Sequence, residues 1–146
     1  MRRFVRYAVY VLVVVLSLML LLDTLQRFKI DHFYVERPIL HAMRSVHDGV
    51  WSNDSEPTRS VLLQRVPLGT ESGSAVAALA RESFGCQTGS THFDENSRKP
   101  HGPGSLVNCQ LLAPARWGYN RWLIDLSFDE DKRLLDAKVA IWNTFL

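Results

Sequence analysis

The sequence predicts an α+β protein: an N-terminal transmembrane helix followed by a small two-layer domain of strand, helix and three-stranded antiparallel meander. Three observations carry that expectation. Residues 4–22, FVRYAVYVLVVVLSLMLLL, are almost wholly apolar, with Arg6 interrupting near the start. Residues 74–84 place apolar side chains at helical spacing, and residues 121–128 and 134–142 alternate with a period of two.

The nineteen residues of the apolar run cover about 28 Å as a helix, close to the roughly 30 Å hydrocarbon core of a bilayer. Valine is a mediocre helix former in water, but lipid gives the backbone no other hydrogen-bond partner, so the segment must be helical. Arg2, Arg3 and Arg6 stand at its start and Asp23 directly after it, which by the positive-inside rule leaves residues 1–3 in the cytoplasm. Tyr7 and Tyr10 fall where aromatic rings sit at headgroup level. The competing reading is a cleavable signal peptide. The exit sequence SLMLLLDTLQ lacks a small-x-small cleavage site, which favours an uncleaved signal-anchor. Residues 23–146 are then expected outside the cytoplasm, in the periplasm of a bacterial cell whose inner membrane holds residues 4–22.

The formal charge of +2 comes from the membrane flank: 14 of the 17 basic residues and all 15 acidic ones follow Leu22. With no clustered positive surface to neutralise phosphates, nucleic acid is excluded as a partner. Cys86 and Cys109 are the two cysteines, and an oxidising compartment makes a structural disulfide the natural pairing. Closing a loop of that size contributes about 3.5 kcal/mol at the upper end. No CxxC and no adjacent basic residue points to redox chemistry.

Residues 23–58 read as a juxtamembrane connector, partly helical. Ile39, Leu40, Met43, Val46 and Val50 make one helical stripe between Pro38 and Gly49, suited to packing on the domain or to pairing the 39–50 helix with a second copy of the chain. SNDSEPT, residues 52–58, marks the boundary before a domain at 59–146. RSVLLQRV, 59–66, reads as the first strand. Thr70 or Ser72 caps a helix over 74–84, with Val76, Leu79, Ala80 and Phe84 buried and Gly85 as the left-handed stop. SLVNCQLL, 105–112, is the second strand, and the long polar stretch 87–104 before it is a loop of the kind that carries function. Pro114 and Gly118 bracket the next turn. In 121–128, Trp122, Ile124, Leu126 and Phe128 face one way, and Arg121, Leu123, Asp125 and Ser127 the other. DEDKR, 129–133, is a hairpin turn. In the last strand Leu135, Ala137, Val139 and Ile141 face the core, and the C-terminal Trp142, Phe145 and Leu146 suit either docking on it, the favoured reading, or a binding surface. On this register Trp122→Asp unfolds the domain and Asp125→Asn scarcely matters.

The order VPLGT, helix, FGC, then WLIDLSFDEDKRLLDAKV resembles the small α+β domains of bacterial envelope proteins, including the SmpA/OmlA-like outer-membrane-assembly lipoproteins. Those domains share a Gly-led helix start and a late strand ending in Phe-Asp before a turn. The resemblance spans residues 60–142. This chain departs from it in having a membrane anchor in place of a lipid-bearing Cys, and an added cysteine pair. The resemblance implies an envelope location and a binding role, and transfers no site residue.

Catalytic patterns are missing from the sequence. GTESG, 69–73, has no Lys-Ser/Thr and is no P-loop, and no GxSxG elbow occurs. His41 and His47 lie some 120° apart on a helix and share no face. His92, Asp94 and His101, with Glu95, lie in the 87–104 loop as candidate metal ligands without a recognised ligand spacing. Arg116, Trp117, Tyr119 and Arg121 cluster at one turn, and these residue types dominate interface hot spots. The expectation is a non-catalytic membrane-anchored binding or accessory module with an envelope protein partner and no cofactor. The alternatives are a small periplasmic metal-binding protein or enzyme using the 87–104 loop, and a membrane-anchored immunity protein.

Overall fold

The computed structural model describes residues 2–47, 54–89 and 105–145. It is an α+β fold with a long apolar N-terminal helix and one four-stranded antiparallel sheet. Helix α1, Arg2–Val35, contains no Gly or Pro and runs 34 residues without a break, about 51 Å. It therefore continues well past Leu22, the expected end of the apolar helix. An i,i+4 pair, Arg27 Nε to Asp23 Oδ2 at 2.9 Å, lies on the extension. Among the described residues one helical stretch, Val9–Val35, is long and apolar enough to cross a membrane by length and composition.

Helix α2, Pro38–Val46, opens on proline at its first turn as the sequence suggests. Arg37 at the N-cap offers it no side-chain cap; Glu82 Oε2 instead accepts the Ile39 and Leu40 amides at 3.1 and 3.0 Å. Leu40 and Met43 are fully buried within the chain, so the stripe is largely taken up internally and the segment expected as a connector contributes to the core. Ile30 and Tyr34 of α1 join the same cluster. Val50 and Gly49 lie outside the described residues.

Residues 59–66 are not a strand. Helix α3, Glu56–Arg65, takes them up, starting on Glu56 and Pro57. The spacing that decides it is Thr58, Leu62, Val66: three buried side chains four apart, a helical stripe hidden inside an apparently strand-like run. Helix α4, Ser72–Arg81, begins and ends earlier than expected. Thr70 does not cap it, since its hydroxyl donates to Pro67 O at 2.6 Å, and neither does Ser72, which lies within the helix. Ala75 and Leu79 are its buried residues; Val76 is half-buried and Ala80 exposed. Nor is Gly85 the stop. Ser83 takes the left-handed conformation at φ 70°, the Phe84 amide reaches Leu79 O at 3.1 Å and the Ser83 amide Ala80 O at 2.9 Å, a Schellman closure completed by apolar Phe84 and Leu79.

Gly85 instead opens strand β1, Gly85–Thr88, so the first residues assigned to the long loop belong to the sheet. The meander continues with β2, Leu106–Ala115, β3, Gly118–Phe128, and β4, Leu134–Phe145, in spatial order β1-β2-β3-β4. Cys86 pairs directly opposite Cys109, and the sulfurs stand at disulfide distance, 2.03 Å, tying the four-residue edge strand to its neighbour.

The helices cover one face of the sheet. Cys109, Leu111 and Ala113 of β2, Trp122, Ile124 and Leu126 of β3, and Ala137, Val139 and Ile141 of β4 point into that core, as the alternation requires. Leu135 does not. A register shift at Ser127/Phe128 pairs Phe128 with Leu134, which turns Leu134 inward and leaves Leu135 about half exposed. The opposite face is less open than expected, for Leu123, Ala140, Asn108 and Asp125 on it are buried too. Asn108 Nδ2 donates to Asp125 Oδ1 at 2.6 Å, so Asp125 is a buried hydrogen-bonded carboxylate and not an indifferent surface charge.

Strand β4 is an outer strand, and its free edge is occupied. The Ser55 amide donates to Val139 O at 2.8 Å, Arg59 Nε to Ala137 O at 2.8 Å, and the Leu134 amide to Thr70 O at 2.8 Å. Unpaired edge groups invite intermolecular pairing, and here the start of α3 and the turn before α4 remove them. Arg59 also pairs with Asp136 at 2.6 Å, which raises its pKa above the ordinary arginine value and keeps it charged.

Candidate interaction surface

The β2–β3 hairpin turns on two residues, Arg116 and Trp117, between the paired Ala115 and Gly118. Gly118 sits at φ 130°, a backbone position that L side chains rarely adopt, which lets so short a connection close. The strand pleat then sorts the four candidate residues. Arg116 and Trp117 form the tip, and Tyr119 and Arg121 lie two residues apart on the face away from the core.

Arg116 ties the tip to α1. Its Nη2 donates to Asp23 Oδ1 at 3.0 Å, and its carbonyl accepts from Gln26 Nε2 at 2.8 Å. Its guanidinium also stands 5.7 Å from the Trp117 ring centroid. Trp117 is 73% exposed, the most exposed large apolar residue of the domain among the described residues. Tyr119 is half exposed. Arg121 donates to Gln110 Oε1 at 2.7 Å, and its register partners are Leu112 and Trp142, so one cross-strand row presents Leu112, Arg121 and Trp142. Trp142 is therefore on the outer face, 41% exposed, and does not dock on the core as expected. The Phe145 and Leu146 side chains lie outside what is described.

Between α1 and the hairpin opens a cleft of about 370 Å³. Arg27, Arg44 and Arg116 line it with Asp23, Asp31 and Tyr34. Asp23 serves both Arg27 and Arg116, and Arg44 meets Asp31 at 3.3 Å, so three guanidinium groups share two carboxylates. The Tyr34 ring lies under the Arg44 guanidinium at 4.2 Å, and its buried hydroxyl has no hydrogen-bond partner among the described residues. Chemically the cleft offers hydrogen-bond donors and one excess positive charge, which suits binding.

Sequence reasoning found the hairpin residues and missed the cleft. Asp23 and Arg116 are 93 positions apart, and no local pattern connects them. The helical extension would have been legible from the absence of Gly and Pro before Pro38.

The remaining candidates separate. Cys86 and Cys109 come together as expected. His92, Asp94, Glu95 and His101 lie outside the described residues, and among the described residues no group of three or more His, Cys, Asp or Glu is arranged to hold a metal ion. His32 faces Glu36 at 3.4 Å on the surface of α1, and His47 packs edge-on against Trp122. Asp129 closes the β3–β4 turn by accepting the Arg133 amide at 2.7 Å.

No protein-family model matches the chain, and neither a curated protein nor a solved structure matches it. The likeness to SmpA/OmlA-like domains rests on the quoted residues alone.

Proposed function

We propose that the chain is a single-pass inner-membrane protein, N-terminus in the cytoplasm, that presents a disulfide-stapled α+β domain in the periplasm as a non-catalytic binding or accessory module. One observation carries the reading. Every side chain from Val9 to Leu22 is exposed, while the same unbroken helix packs Ile30 and Tyr34 into the core of the domain. Leaving those apolar side chains in water forgoes on the order of 20 kcal/mol of burial, more than the roughly 5–15 kcal/mol that holds a domain together. A bilayer removes that cost. Three arginines before the run and Asp23 after it set the direction.

The test is biochemical. The mature protein keeps Met1, resists alkaline extraction from membranes, and a periplasm-dependent reporter fused after Leu146 is active. A mature N-terminus beyond Leu22, or a reporter active only in the cytoplasm, defeats the proposal. For the partner, the row of Leu112, Arg121 and Trp142 is the candidate surface. Crosslinking from a photoreactive residue at position 121 in the intact envelope, read by mass spectrometry, should trap one protein.

A further inference from the structure

We infer that the β2–β3 hairpin tip is a second membrane contact: Trp117, with Tyr119 and Arg116, sits in the lipid headgroup layer beside the point where α1 leaves the bilayer. This deepens the reading of α1 as a membrane span and rests on it. Spanning helices are flanked by aromatic residues at both interfaces. Helix α1 has such residues at its first end, Tyr7 and Tyr10, both about 70% exposed. At its other end residues 18–33 contain neither Trp nor Tyr, the nearest exposed aromatic being Phe28, which has no polar group to meet the headgroups. The tertiary structure brings Trp117 there. Arg116 holds Asp23, the first residue after the apolar run, and Gln26 holds the Arg116 backbone, so the tip lies level with the first turn of α1 beyond the lipid core.

Dimensions decide how much of the hairpin reaches lipid. Total bilayer thickness exceeds the hydrocarbon core by about 10–15 Å, leaving about 5–7 Å of headgroup on each side. Trp117 and Tyr119 are two strand residues apart, at most about 7 Å, and fill that layer. Arg121 is two residues further along β3, at most about 7 Å, so the row of Leu112, Arg121 and Trp142 reaches beyond that layer. Arg27 and Arg116 against Asp23 leave one net positive charge at the same depth, favourable beside anionic phosphates.

The experiment reconstitutes the full chain in vesicles of phosphatidylcholine and phosphatidylglycerol containing a lipid spin-labelled on its headgroup. Tryptophan emission is compared for the wild type, Trp117→Phe and Trp142→Phe. Trp117 is solvent-exposed in a turn, so its replacement leaves the core untouched. The expected result is that Trp117→Phe loses at least half of the headgroup-quenched emission while Trp142→Phe keeps it. Should the chain float with the vesicles yet the wild type and Trp117→Phe be quenched alike, the inference fails and the reading of α1 stands. Should the chain not float at all, both fail.

Discussion

The two stretches of α1 share one hydrogen-bonded helix and differ in what their side chains can pack against. From Val9 to Leu22 the helix is apolar on every side, and nothing among the described residues covers it. From Asp23 to Val35 the helix covers one stripe, Ile30, Phe33 and Tyr34, with Asp23, Arg27 and Asp31 around it, while Leu25, Phe28 and Val35 stay exposed among polar neighbours. A helix that is apolar all round needs an apolar solvent, whereas a striped helix needs only one packed neighbour. The boundary at Asp23 is therefore a change, within one unbroken helix, in what the side chains pack against.

The sharpest way to break this comparison is to truncate a side chain in the packed stretch. Tyr34→Ala should lower the stability of the detergent-solubilised chain by about 3–5 kcal/mol, read from the urea midpoint of the near-ultraviolet circular dichroism. Next in size, Asp125→Asn should cost about 1–3 kcal/mol, because an amide set against the Asn108 amide loses a charge-assisted hydrogen bond in a buried place. The same urea titration checks it, and a null effect would restore the expectation of an indifferent surface charge. A double-mutant cycle on Asp23→Ala and Arg116→Ala should give a coupling of at most about 1 kcal/mol, shrinking with added salt, since both groups are partly solvated. Smallest of all, Leu16→Ala should change domain stability by less than about 0.5 kcal/mol despite removing a large apolar side chain. A loss comparable to that of Tyr34→Ala would mean that the two stretches of α1 are not different after all.

What could be read from the residues in order was whatever depends on near neighbours. The alternation in β3 put Trp122, Ile124 and Leu126 on the core side, and the charged run 129–133 marked a turn. The disulfide followed from there being two cysteines. The failures share a cause. Thr58, Leu62 and Val66 are spaced for a helix, but Val61 and Leu63 fill the gaps and make the run look like a strand. Strand β1 has no apolar alternation of its own, because a four-residue outer strand bonded by a disulfide is held by its neighbour and not by its side chains.

Taken alone, the order of residues determined the apolar helix, its flanking charges, the later strands and the cysteine pair, since each of these depends on spacing and composition within a few turns. Only the tertiary structure decided that Glu82 caps α2, that the start of α3 guards the edge of β4, and that Arg116 reaches Asp23. Those are contacts between groups 42 to 93 positions apart, and a distant contact forms only when the packing of everything between brings its two ends together.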